Sequence, residues 1–176
     1  MSIKFLTAYH PNGQKKSEGN WDGDVPVGNH FTWHKNGNKE YEMVEVNDSM
    51  EMTTSWYENG QIESKGSRSP THYQEVGLWT QWFENGNKKS EGSYKGEDGR
   101  DGEWKFWSSS GQLICTGIHK GFKGDGLWTF WDEAGYKVHE REYVELELLD
   151  VWKNLRADGC SDDLIELYKE RVFRGF

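Results

Sequence analysis

The sequence predicts a mainly β fold: an elongated antiparallel array of about six β-hairpin repeats with a C-terminal helical cap. Three observations carry that expectation. A turn signal recurs at Asn12-Gly13, Asn36-Gly37, Asn59-Gly60, Asn85-Gly86, Ser110-Gly111 and Ala134-Gly135. Its glycines, at 13, 37, 60, 86, 111 and 135, leave successive gaps of 24, 23, 26, 25 and 24 residues. An aromatic stands three residues ahead of every pair: Tyr9, Trp33, Trp56, Trp82, Trp107 and Trp131. After Tyr143 this pattern stops and a helical periodicity replaces it. Residues 1–143 are therefore expected to form the array and residues 144–176 the helical segment that caps it.

Each hairpin follows from its turn. Asn-Gly suits a type I′ turn, in which both central residues take positive φ. The fullest copies begin at Gly77-Leu-Trp79, Gly102-Glu-Trp104 and Gly126-Leu-Trp128 and read Gly-x-Trp-x-x-Trp-x-x-Asn-Gly, a polar strand, then Gly-x-aromatic. Side chains alternate along a strand, so Trp128 and Phe130 share one face and Trp131 takes the other. The strict repeat positions of Trp33, Trp56, Trp79, Trp82, Trp104, Trp107, Trp128 and Trp131 point to packing between hairpins rather than to a ligand platform. Trp107 and Trp131 are expected to be largely buried. The glycines at 19, 66, 92 and 117 lie six residues after a turn glycine. Glycine there marks a bulge, or a place where the next hairpin's ring needs room.

Two segments depart from the pattern. Between Glu40 and Glu63, Met43 replaces the glycine and Thr53 stands where Trp79 stands in its own copy. That stretch carries Glu40, Glu42, Glu45, Asp48, Glu51, Glu58 and Glu63 without a Lys or Arg, and it holds Met43, Met50 and Met52. Asn47-Asp48-Ser49 reads as an additional turn, and Ser67–Val76, with Pro70, as a longer loop. In the tail, Ser161 is a suitable N-cap with Asp162 and Asp163 in the first turn. Leu164, Tyr168 and Val172 form one apolar stripe. The tail either covers the last repeat or is a partner-binding helix.

Composition narrows the function. Hydrophobic residues make up only 34% of the 176, while aromatics reach 15% with ten Trp, which fits thin units sealed by large rings. The formal charge of −9 disfavours nucleic acid and anionic membrane and favours a basic protein partner. No secretory leader and no apolar run long enough to span a bilayer is evident, so a cytoplasmic location is expected. Cys115 and Cys160 match neither a disulfide framework nor a metal site. His30 and His34 would lie about 13 Å apart along a strand, too far to share an ion. Neither a metal nor another cofactor is expected. Lys15, Lys16, Lys39, Lys88, Lys89 and Lys137 alternate with Glu18, Glu42, Glu91 and Glu140, which suggests a solvated face of mixed charge. No nucleophile, phosphate-loop or metalloprotease motif is present, and the chain reads as not an enzyme.

The units around Trp82, Trp107 and Trp131 resemble the MORN-variant repeats of bacterial antitoxin-like proteins, through Gly77-x-Trp79-x-x-Trp82-x-x-Asn85-Gly86 and Glu91-Gly92-x-Tyr94. The resemblance covers roughly residues 5–143 and weakens between 40 and 72. It implies a hairpin-repeat fold and an antitoxin or immunity role. The expected function is neutralisation of a basic toxin by direct binding, with Glu40, Glu42, Met43, Glu45, Asp48, Met50, Glu51 and Met52 as the candidate partner-binding residues. A Trp-rich carbohydrate or cell-wall module and a general interaction scaffold are the alternatives. The acidic stretch is also open to a plainer reading, as a drifted repeat whose charge discourages sheet aggregation.

Overall fold

The computed structural model describes residues 2–121 and 123–173, with side chains described outside 146–149 and 170–173. Six hairpins follow one another. They comprise β1 (Ile3–Tyr9) with β2 (Lys15–Asp22), β3 (Val25–Trp33) with β4 (Lys39–Asn47), and β5 (Met50–Trp56) with β6 (Ile62–Arg68). Then come β7 (Glu75–Trp82) with β8 (Lys88–Lys95), β9 (Arg100–Trp107) with β10 (Leu113–Lys120), and β11 (Lys123–Trp131) with β12 (Lys137–Glu147). Two helices, α1 (Leu148–Ala157) and α2 (Asp162–Phe173), complete the order. Each strand pairs with its neighbours in sequence, giving one twelve-stranded antiparallel sheet. Successive hairpins are thus joined edge to edge by backbone hydrogen bonds, not merely leaned against each other.

The turns differ from the expected type I′. His10 N–H donates to Gln14 O at 2.8 Å, Gly13 N–H donates to His10 O at 2.9 Å, and the same pair of bonds recurs at all six turns. Among the described residues only Tyr73 and Glu145 have positive φ without being glycine, so the turn asparagines do not. These are three-residue loops, a type I turn closed by a left-handed glycine such as Gly13 at φ 84°. Asparagine has a different task. Asn12 Oδ1 accepts the Gln14 N–H at 3.1 Å, while Asn12 Nδ2 donates to Lys35 O of the next hairpin at 2.7 Å. Asn36, Asn59 and Asn85 repeat the inter-hairpin bond to Glu58 O, Glu84 O and Ser109 O. The side chain staples turn to turn.

One face of the sheet is aromatic, and glycine explains it. A Cβ built on Gly66, Gly92 or Gly117 would lie 2.2 Å from a ring carbon of Trp79, Trp104 or Trp128 respectively. Each indole lies flat on the preceding hairpin's glycine, as the sequence suggested. Its Nε1 donates to a backbone carbonyl of that strand: Ser67 O, Ser93 O or Ile118 O. Tyr94 and His119 lie between successive tryptophans, Tyr94 edge-on to Trp104 with centroids 4.9 Å apart and His119 tilted against Trp128 at 5.0 Å. Where Met43 replaces the glycine, it pairs directly with Thr53. The large and small residues have exchanged strands, and Met43 is itself buried.

Trp107 and Trp131 are not the largely buried rings that the repeat pattern predicts. Trp79, Trp104 and Trp128 are buried, whereas Trp107 and Trp131 are half-buried. Alternation places the second tryptophan of each unit on the opposite face, where Lys88 of the preceding hairpin lies over Trp107.

The helices pack on the aromatic face over the last hairpins. Val151, Trp152 and Leu155 from α1, with Ile165 and Tyr168 from α2, join Trp104, Phe106, Ile114, Cys115, Trp128, Phe130 and Tyr143 in one core. Ser161 Oγ accepts the Leu164 N–H at 3.4 Å at the start of α2. Tyr168 belongs to the core, Leu164 packs at its margin, and the Val172 side chain lies outside the described residues. Tyr168 also completes a repeating bond. His10, His34 and Tyr57 each donate to the carbonyl of the next hairpin's tryptophan: Trp33, Trp56 and Trp82. At the equivalent place before Trp131 stands Ser108, too short to reach. The Tyr168 hydroxyl takes over and donates to Trp131 O at 3.0 Å.

Candidate interaction surface

The candidate partner-binding residues divide between two faces and a loop. Register pairs Met43 with Thr53 and Glu45 with Glu51, placing these residues on the aromatic face, while Val44 pairs with Met52 on the other. Glu42, adjacent to Met43, points away from that face. Met43 and Glu51 are buried, Glu42, Met50 and Met52 are half-buried, and Glu40, Glu45 and Asp48 are exposed.

Counter-charges arrive from outside the acidic stretch. Arg68 Nε lies 3.1 Å from Glu51 Oε2, and its Nη2 lies 2.9 Å from Met43 Sδ. Lys39 pairs with Glu42. His34 Nδ1 stands 3.9 Å from Glu40 Oε1, a counter-charge only when the imidazole is protonated. Glu45 and Asp48 remain without an ion pair among the described residues.

These two exposed acids belong to a longer feature. The loops opposite the Asn-Gly turns lie along one long edge of the sheet. That edge carries the exposed acids Asp24, Glu45, Asp48, Glu75, Glu97, Asp98 and Asp101, together with the exposed cations Lys95 and Lys120, the latter paired with Glu145. Of these acids only Asp98 has a lysine partner among the described residues, Lys95 at 3.5 Å. Although Glu75 is exposed at its surface, partial desolvation raises its carboxyl above the ordinary range, and nearby Arg100 partly opposes the shift. Sequence reading missed Asp24, Glu75, Glu97 and Asp101 because it followed the Asn-Gly turns. Aligning the copies on the connecting loops instead would have shown an acid beside most of them.

The opposite edge is charge-balanced. Lys15, Lys39, Lys88 and Lys137 pair with Glu18, Glu42, Glu91 and Glu140 of their own strands. Three of these lysines also lie on the next hairpin's indole: Lys15 over Trp33 at 4.8 Å, Lys39 over Trp56 at 5.4 Å and Lys88 over Trp107 at 5.4 Å. The mixed-charge face is therefore a set of cation–π contacts that covers Trp33, Trp56 and Trp107. A groove of about 270 Å³ on the aromatic side is lined by Ser55, Tyr57, Glu63, Ser64, Gln81, Trp82 and Lys89. It exists because Ser55, Ser64 and Gln81 occupy the row that Phe106, Cys115 and Phe130 fill beneath the helices.

Titratable groups in the core are structural. His119 is wedged between Trp104 and Trp128, and burial, with Arg100 close by, lowers its pKa to about 3. Burial pushes the Cys115 thiol well up, so it is not a nucleophile at neutral pH. No group of three or more His, Cys, Asp or Glu side chains among the described residues is placed to hold a metal ion. No helix among them is long and apolar enough to cross a membrane.

A continuous meander with one indole seated on one glycine per step defines a tandem β-hairpin repeat protein. The family model for the MORN repeat variant matches residues 6–22, 53–68, 75–95 and 100–120, so four of the six hairpins carry repeats of that variant. Each matched segment lies within one hairpin. The match at 53–68 falls where the sequence pattern looks weak. The hairpin of β11 and β12, where the pattern is legible and Trp128 sits on Gly117, is not matched. No curated protein matches the chain. Among solved structures, a protein of unknown function from Bacteroides fragilis aligns at 9% identity over 81% of this chain and 92% of its own, with a TM-score of 0.18. A likeness of that size bears on neither fold nor function.

Proposed function

We propose that this chain is a non-catalytic, cytoplasmic protein-binding repeat protein, an antitoxin or immunity protein that neutralises a basic toxin by direct binding. The observation that carries this reading is the acidic edge, where Asp24, Glu45, Asp48, Glu97 and Asp101 stand exposed without ion pairs among the described residues. Carboxylates kept in solvent along one side of a rigid sheet repel one another and bring the fold little stability. They do supply a long negative surface that steers and orients a basic partner. A toxin that works on nucleic acid needs a basic cleft, and such an edge complements it. The carbohydrate-module alternative loses support, because three repeat indoles are buried and three others lie under lysines.

The test is charge reversal of Asp24, Glu45 and Asp48 to lysine. Partner affinity is expected to fall at least about tenfold, mainly through a slower on-rate that salt also reduces. The circular-dichroism spectrum should be unchanged. Equal affinity for the reversed protein would move the interface away from this edge.

A further inference from the structure

We infer that the outer edge of β1 pairs with β1 of a second copy of this chain, forming a two-fold dimer whose sheet runs continuously through both molecules. This inference is independent of the toxin reading. All seven residues of β1 are exposed, and among the described residues no strand pairs with its outer side. Four are large and apolar: Ile3 is 63% exposed, Phe5 64%, Leu6 49% and Tyr9 63%. A free edge is normally blunted by charge, proline or a covering element. β1 has a single charge, Lys4, and no proline.

The other end of the array is built against continuation. Arg141 stands where a receiving glycine would be needed, six residues after Gly135. The last turn, like the Ser110 turn before it, lacks the stapling asparagine, and its Asp132 Oδ1 is occupied by the N–H groups of Ala134 and Tyr136. Leu6 holds the position that tryptophan holds in later copies, since it pairs with Gly19 as Trp79 pairs with Gly92. Docked on β12 of another copy, Leu6 would meet the Arg141 position, so head-to-tail growth is disfavoured. A self-complementary pairing closes after two copies instead.

Register and charge agree. An antiparallel pairing centred on Leu6 uses all seven residues and sets Leu6 against Leu6, Phe5 against Thr7, Lys4 against Ala8 and Ile3 against Tyr9 of the other copy. No like charges face each other, and the stripe of Ile3, Phe5 and Tyr9 becomes continuous across the junction. The chain carries −9 overall, yet residues 2–22 hold three lysines against two acids. This is a region where two copies approach without net acidic repulsion. Seven residues make a small interface, below the roughly 1,200–2,000 Å² of standard complexes, so a dimer that dissociates on dilution is expected.

Sedimentation equilibrium of the full chain over a wide concentration range should fit a monomer–dimer equilibrium. Leu6→Lys, which sets two ammonium groups face to face, should raise the dissociation constant about tenfold or more without altering the circular-dichroism spectrum. Leu6→Cys should give a disulfide-linked dimer on mild oxidation, because directly opposed Cα atoms about 4.5–5.5 Å apart are within disulfide reach. Ala8→Cys, off the axis, should not. A chain that stays monomeric throughout, open-ended growth with concentration, or equal cross-linking at both positions would overturn the inference.

Discussion

Substituting Gly92 by alanine tests how this sheet is held together. Gly92 has no positive φ, so the exchange brings no backbone strain. On an ordinary strand it would be neutral or mildly favourable. Here the new methyl would lie 2.2, 2.4 and 2.5 Å from three carbons of the Trp104 ring, where about 3.5–4 Å is ordinary contact. The indole must retreat by more than an ångström. It cannot do so freely, because it is 2% exposed, stacked on Phe106 at 6.0 Å, edge-on to Tyr94 and bonded to Ser93 O. Overpacking a core by a methyl costs about 1–3 kcal/mol, and losing the ring's packing altogether costs about 3–5 kcal/mol. A loss of about 3 kcal/mol is therefore expected for Gly92→Ala. Urea unfolding followed by tryptophan fluorescence gives the measurement. The chain's own exchange of Met43 and Thr53 suggests the control: Gly92→Met combined with Trp104→Thr should recover part of what Gly92→Met alone loses. A midpoint for Gly92→Ala within error of the parent would refute the seat-and-ring reasoning.

Three further outcomes are expected. Trp128→Ala should lose about 3–5 kcal/mol and Trp131→Ala clearly less, since Trp128 is fully buried and Trp131 only half-buried; paired urea midpoints check the order. His119 is held neutral, with its folded pKa lowered to about 3. The unfolded chain, with the ordinary value near 6.5, takes up the proton first, so stability should fall as pH drops from about 6.5 toward 3, by about 3 kcal/mol at pH 4. His119→Phe, measured over the same range, should flatten that slope, leaving a residue from His30 and His139, whose pKa values burial also lowers. Tyr168→Phe removes the bond to Trp131 O and should cost about 1 kcal/mol, whereas Tyr168→Ala should cost several times more; thermal or urea unfolding separates the two.

Much of the architecture is legible in the sequence because glycine and tryptophan each answer a single geometric demand. The turn glycines set the period, and the glycines at 66, 92 and 117 announced that a ring needed room. The rest depends on partners that sequence spacing does not name. Asn-Gly fits two turn families equally well, and only the staple from Asn12 to Lys35 O shows why asparagine recurs. Which indole of each pair is buried is decided by which one lies on the preceding hairpin's glycine; Trp79 is buried on Gly66 although it stands outside the core beneath the helices. Glu51 appears uncompensated because Arg68, its partner, is seventeen residues away and arrives across a strand pair. Of the candidate site, Glu45 and Asp48 were readable as exposed acids. Their continuation through Asp24, Glu97 and Asp101 emerges only when the connecting loops line up along one edge.

Calorimetric titration of the chain against the product of the adjacent gene in its native host, at low and at high salt, tests the central functional claim most directly. A basic product is expected to bind in a defined stoichiometry, with affinity that falls as salt rises and falls further in the Asp24, Glu45 and Asp48 reversal variant. A basic neighbour bound with the same affinity by both proteins at both salts, or no binding at all, would contradict it.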